Sequence, residues 1–398
     1  MAAEALDAIT CRSQPLGLSF HPTREVLACG LVDGSVELHN YSARTKHTQL
    51  TLHGAASRST CFVNDGSQLV SAGSDGKISF LDSERLDIIW EKKEAHASAI
   101  NRSFFVAGRS NLLASGDDDG VIKLWDIRTE SPVFTFDKLH TDFISGFDSD
   151  KNGTTLLASS GDCTLSALDL RSLKNKSGDK QYRQSDDQED ELLSVLVMKN
   201  GKKVVCGTQE GVLAVWTWGT WGDQGHRMPG HPQSIDALLK IDEDTIITGS
   251  SDGMLRVVQL MPDKLLGILG DHDGFPIEEL KWSYDRKVIG STSYDDLIRM
   301  WDASILLDDD DDDDDDDEEE AVAMDADEVD TEIQEKKNST KMKMDANSDD
   351  DWEDVDDDSD DDRGMENSDD SDSDDEEDAM QKGKRRFMTD NERFFQDL

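Results

Sequence analysis

The stretch LASGDDDGVIKLWDIR, residues 113–128, decides the fold. It is two short apolar runs joined by an Asp-Gly turn. Leu113, Ala114 and Ser115 open the first run, and Val121, Ile122, Leu124 and Trp125 make the second. Asp119-Gly120 is a strong hairpin signal, because a two-residue turn needs positive φ at its centre. Strict alternation in the second run sends Ile122 and Leu124 to one face and Val121 and Trp125 to the other. Trp125-Asp126 then ends the second strand.

The same pattern is written seven times. Around the quoted copy stand LACGLVDGSVELHN (27–40), LVSAGSDGKISFLD (69–82), LASSGDCTLSALD (157–169), VVCGTQEGVLAVWT (204–217), IITGSSDGMLRVV (246–258) and IGSTSYDDLIRMWD (289–302). The turn positions Gly34, Gly76, Gly120, Cys163, Gly211, Gly253 and Asp296 are spaced by 42, 44, 43, 48, 42 and 43 residues. A period of this length with a Trp-Asp ending is the mark of WD40 blades, and seven blades close one ring. The expected fold is all-β: a seven-bladed WD40 β-propeller over 1–307, followed by an acidic disordered tail.

Charge divides the chain in the same place. Of its net −47, residues 308–398 hold −33, from 43 acids and 10 bases. A segment this charged and this poor in apolar residues cannot offset its ordering entropy by burial. The first ten residues, MAAEALDAIT, have neither the basic nor the apolar region of a secretory signal, and no apolar run approaches the ~20 residues of a membrane span. The five cysteines, Cys11, Cys29, Cys61, Cys163 and Cys206, are odd in number and scattered. They read as buried free thiols rather than disulfides or a zinc site, so no metal ligand is expected.

The last repeat stops after its third strand, which would leave an open sheet edge. The N-terminal strand, within ALDAITCR (5–12), is expected to close blade seven. Two blades carry a full polar quartet at matched steps: His96, Ser115, Asp119 and Trp125 in blade three, and His272, Ser291, Asp295 and Trp301 in blade seven. Ser, His and Asp together suggest a hydrolytic triad, but two copies in one chain suit a repeated structural hydrogen-bond network better. Blades two (His53, Ser71, Asp75) and six (His231, Thr248, Asp252) hold partial sets. Blades one and five lack the histidine, and blade four reads as having a turn one residue shorter. Those three are expected to depend on plain packing.

Residues 171–191, RSLKNKSGDKQYRQSDDQEDE, read as a solvated loop insertion or, alternatively, a partner contact. Trp218 and Trp221 lie beyond the core Trp216, either as an aromatic-paired hairpin or as an exposed contact patch. The tail divides at about residue 380. In 308–380, Ser348, Ser359, Ser371 and Ser373 each have an acid three positions on, suiting an acid-directed kinase. In 381–398, Lys382, Lys384, Arg385 and Arg386 form a nuclear-import candidate. Thr389 and Glu392 make a capping box before Phe394, Phe395 and Leu398, which share one helical face and suit a partner groove.

Several segments together resemble the WD repeat-containing protein 55 family: GLSFHP (17–22), ASGDD (114–118) with KLWD (123–126), ELLSVLVMKNGKKVVCG (191–207), Ser234 to Lys240 with Thr248-Gly249, and the terminal FFQDL. The resemblance implies a nuclear and nucleolar protein, with the cytoplasm as a further location, that supports pre-rRNA processing and ribosome production. Plant members are similar to substrate receptors of cullin-4 ubiquitin ligases. In such receptors a WDxR motif engages the ligase's propeller adaptor. Trp125, Asp126 and Arg128 match that motif, and Asp169 and Arg171 form a second copy without the aromatic. An acidic histone-binding chaperone is a third reading. The residues themselves point to no enzyme: no phosphate-binding Gly loop, metal-spaced Cys/His cluster or carboxylate pair stands outside the blade turns, so no catalytic or cofactor residue is expected. The partners expected are proteins, such as pre-ribosomal factors or other basic proteins, with no membrane. Direct nucleic-acid binding by the tail is not expected, since its charge repels phosphates.

Overall fold

A computed structural model describes residues 5–63, 65–85, 87–129, 131–171 and 181–306. The readings placed on 308–398 all lie outside the described residues. Those are the four serines, the basic cluster and the Phe394, Phe395 and Leu398 motif.

The described chain forms seven four-stranded antiparallel sheets, the blades of a closed propeller. In each blade the strands run inner, second, third, outer. In blade three they are Ile100–Phe105, Leu112–Asp117, Ile122–Asp126 and Pro132–Phe136. All seven turn positions read from the sequence adopt positive φ, from 57° at Asp296 to 83° at Gly253, including the non-glycine Cys163 at 67°. Gly120 has a second constraint: a Cβ there would come within 2.8 Å of the His140 carbonyl oxygen.

Blade seven takes its outer strand from the other end of the chain. Ala5–Thr10 pairs antiparallel with Leu297–Asp302, in register Ala5↔Trp301 through Thr10↔Leu297, with one bulge between Leu6 and Ile9. The core is likewise divided. Seven apolar clusters lie at the seven blade-to-blade boundaries, and Ile9 and Cys11 belong to the one between blades seven and one. Around the axis, neighbouring inner strands are tied by side chains in place of a backbone ladder. Asp148 accepts from the Val197 amide (2.6 Å), Glu279 from the Leu18 amide (2.6 Å), and Arg102 donates to the Ser145 carbonyl (2.9 Å).

Two readings of blade four need correction. Its turn is not shorter: Ala158 pairs with Ser166 across eight residues, as Ser115 pairs with Lys123. The shorter look comes from lining Ser159 up with Ser115, when the register equates Ala158 with it. The 171–191 segment is not wholly loop either, since Tyr182–Gln184 within it is the blade's outer strand.

Candidate protein-docking site

Antiparallel strands fix two ends for the ring. Turns between second and third strands, and loops from each outer strand to the next inner one, lie at one end. The remaining turns lie at the other.

The histidines that precede the inner strands occupy the first end. In blade seven, His272 bonds Asp295 through Nδ1 (3.1 Å) and Ser291 through Nε2 (2.6 Å), and the Trp301 indole donates to the same Ser291 oxygen (2.8 Å). Blade three repeats this with His96, Ser115 and Trp125 at 2.7 and 2.8 Å, but its acid is Asp117 and not Asp119. Asp117 Oδ2 takes the His96 bond at 2.8 Å, while Oδ1 accepts from the amides of Asp119 and Val121. The register explains the change. Asp117 faces the start of the inner strand, where other blades place Gly73 or Ser293, so a carboxylate there is buried beside the histidine. Asp119 is left pointing to solvent.

Blade four does not depend on packing alone. His140 bonds Asp162 (3.0 Å) and reaches across to Ser166 (2.8 Å), which replaces the serine missing at Ala158. Blade six stops halfway: His231 holds Thr248 (2.8 Å), but Asp252 is taken by Arg256 (2.6 Å), and His231 Nδ1 has no partner. Burial lowers the pKa of His53, His96, His231 and His272, to about 4 for His231. Ser115 and Ser291 are wholly buried.

Nearer the axis at this end lies a polar set that the repeat pattern does not announce. Arg58 from blade two and Asn101 from blade three both bond Asp118, at 3.1 and 2.6 Å. Asp236 in blade six accepts from Ser234 and Ser251. Burial, reinforced by Glu278, pushes its carboxyl up to about 7, against the pull of Arg102. Their sequence signal is only a polar residue on an inner strand, indistinguishable from a solvated one.

The opposite end carries the WDIR segment. Asp126 ends the third strand of blade three, and its carboxylate accepts from the Arg128 amide (3.1 Å), Nε (2.7 Å) and Nη2 (2.5 Å). Ile127 packs inward and donates its amide to the Asn111 carbonyl. Blade four repeats the fold-back: Arg171 reaches Asp169 at 3.0 and 2.8 Å, with Leu170 buried behind it. Both arginine side chains stay 68% exposed. The Arg128 guanidinium holds the Asp126 carboxyl below its ordinary range, so the pair is charged at neutral pH. Val63, Asp65 and Gln68 of blade two, with Asn111, Ile127 and Arg128 of blade three, line a cleft of about 630 Å³ at this edge. Trp125 takes no part in that surface. It is 1% exposed and bound to Ser115, so its role as a partner contact is corrected to a structural one.

Trp218 and Trp221 meet edge to face at 5.4 Å, half-buried against the boundary of blades four and five. The family model described as WDR55 matches residues 6–306, the whole ring including its closing strand. The chain belongs to the WDR55 family. Family relatives include the WD repeat-containing protein 55 of Arabidopsis thaliana, 38% identical over 296 residues, 73% of this chain and 81% of that protein. The human protein of that name is 34% identical over 294 residues, 73% of this chain and 74% of its own. The WD repeat-containing protein JIP5 of Cryptococcus neoformans is 36% identical over 310 residues, covering 74% and 81%. The WDR55-family match thus spans both ends of the ring and the cleft beside Arg128.

Proposed function

We propose that this WDR55-family chain is a non-enzymatic nuclear and nucleolar scaffold that supports pre-rRNA processing and ribosome production. The observation that carries the non-enzymatic part is the burial of Ser115 and Ser291. A substrate cannot reach a serine with no exposed surface, so the repeated His-Ser-acid sets hold turns in place. What the ring offers to solvent is binding surface, as a propeller scaffold requires. The test is affinity purification of the full chain from nuclear extract, with pre-rRNA analysis after its depletion. Co-purified pre-ribosomal particles and accumulated precursor rRNA are expected. Their joint absence rejects the reading.

A second reading, a substrate receptor of a cullin-4 ligase, is favoured by the paired fold-back of Arg128 and Arg171. Two exposed guanidiniums, each pre-set by its own carboxylate, lose little side-chain freedom when a partner's carbonyls or carboxylates arrive. Arg128→Ala and Arg171→Ala together should abolish co-precipitation of the ligase's propeller adaptor while leaving the urea midpoint unchanged. An unaltered co-precipitation removes this reading.

A further inference from the structure

Blade one departs from the other blades at three related positions. Four residues before the inner strand, where five other blades place His53, His96, His140, His231 and His272 or its near equivalent, it has Cys11. Where the register of blades two, three and seven places Ser71, Ser115 and Ser291, it has Cys29, opposite Glu37. Where blade three places Trp125, opposite Leu113, blade one places His39, opposite Leu27. Each change replaces a member of the hydrogen-bond quartet with a side chain able to bind a metal ion.

The four side chains converge. Cys11 follows the closing strand of blade seven, Cys29 lies on the second strand of blade one (Val26–Leu31), and Glu37 and His39 share a face of its third strand (Ser35–Asn40). All are buried, with exposures of 6%, 0%, 0% and 4%. Their donor atoms all lie within 4.8 Å of one another. The Cys11 and Cys29 sulfurs are 3.9 Å apart, and His39 Nε2 is 3.0 Å from Glu37 Oε2. With zinc–sulfur bonds near 2.3 Å, a tetrahedral site needs sulfurs about 3.8 Å apart. A disulfide needs them at about 2.0 Å.

We propose that Cys11, Cys29, Glu37 and His39 are a four-ligand zinc site that clasps the closing strand of blade seven to blade one. Two thiolates, one carboxylate and a neutral imidazole around Zn²⁺ leave one net negative charge. Lys46 supplies the matching positive charge, because its ammonium bonds the other oxygen of Glu37. The thiols enter as thiolates, so each releases its proton to solvent as the ion binds. The site ties residue 11 to residues 29, 37 and 39 across a boundary that apolar contact, the Leu18–Glu279 hydrogen bond and the pairing of the closing strand also hold.

The test uses the purified, reduced full chain. About one equivalent of tightly held zinc per chain is expected by elemental analysis. After exchange with Co²⁺, sulfur-to-cobalt charge-transfer absorption and tetrahedral d–d bands are expected. The acidic tail has no cysteine and cannot produce the thiolate charge-transfer band. Cys11→Ser with Cys29→Ser should lose both zinc and band. Because that variant could also unfold, Cys11→His/Cys29→Ser/His39→Trp provides a second one, which rebuilds the quartet of blades three and seven. It should stay folded without the band. Zinc below a tenth of an equivalent with no cobalt band in the parent overturns the proposal. So does a band that persists in either variant, or a Cys11–Cys29 disulfide found by mass spectrometry in the reduced chain.

Discussion

Asp117 bonds three donors at once: the His96 imidazole and two amides of its own turn. Removing it leaves those donors buried without an acceptor, at about 1–3 kcal/mol. Asp117→Ala should therefore lower the urea midpoint clearly, while Asp119→Ala, at an exposed position, should change stability by no more than about 0.5 kcal/mol. Equal midpoints for the two variants would contradict the geometry. His231 and Asp236 give pH dependence of opposite sign. His231 has its folded pKa lowered by burial to about 4. The stability from keeping it neutral is complete above the unfolded value near 6.5 and is lost as pH falls toward 4. Asp236 is raised to about 7, so folding opposes its ionisation and stability drops as pH rises from about 4 to 7. Asp236→Asn should match the parent near pH 4 and become progressively more stable than it up to pH 7. A constant difference across that range would show that Asp236 titrates normally. The residue scale is also where the sequence misled. Matched spacing with blade seven picked Asp119 out of three consecutive aspartates, and only the strand register points to Asp117 instead. Cys11 and Cys29 read as scattered free thiols, because only the strand register of blade one brings them beside Glu37 and His39.

At the scale of the strand, legibility was high. Turn chemistry and alternating apolar residues repeat seven times, and each copy adds information about the others. All seven positive-φ positions were readable in advance, and so was the use of an N-terminal strand as the missing edge. What could not be read was whatever the repeat does not enforce, such as the short strand Tyr182–Gln184 inside a polar segment. The closing strand makes a direct prediction. Ile9 is buried at the boundary of blades seven and one, so Ile9→Ala should cost about 2–5 kcal/mol. Deleting residues 1–12 should cost more, because it also uncovers the edge of Leu297–Asp302. Thermal melts that superimpose on the parent would mean that the strand is dispensable.

For the whole ring, stability is shared among seven similar boundaries, and blade seven is distinct in that its third and outer strands are joined through space instead of through the chain. The two segments there are antiparallel neighbours, with Ala5 opposite Trp301. A permuted chain that begins at residue 13, runs to residue 306 and continues through a short glycine linker into residues 1–12 should therefore recover the melting temperature of the parent. A permutant that melts like the deletion would show that the order of the segments matters, beyond their presence.

That pairing also has a consequence in time. Translation delivers Ala5 first and Trp301 about 300 residues later, which at 5–20 residues per second is an interval of about 15–60 s. Throughout it the strand has no mate and Ile9 has only the blade-one half of its pocket, so each growing chain carries an unpaired apolar strand past its neighbours on the same messenger. Two polysome-mates that exchange leading strands would each be sealed by the other. Closure within one chain therefore competes with exchange between chains until the last blade emerges.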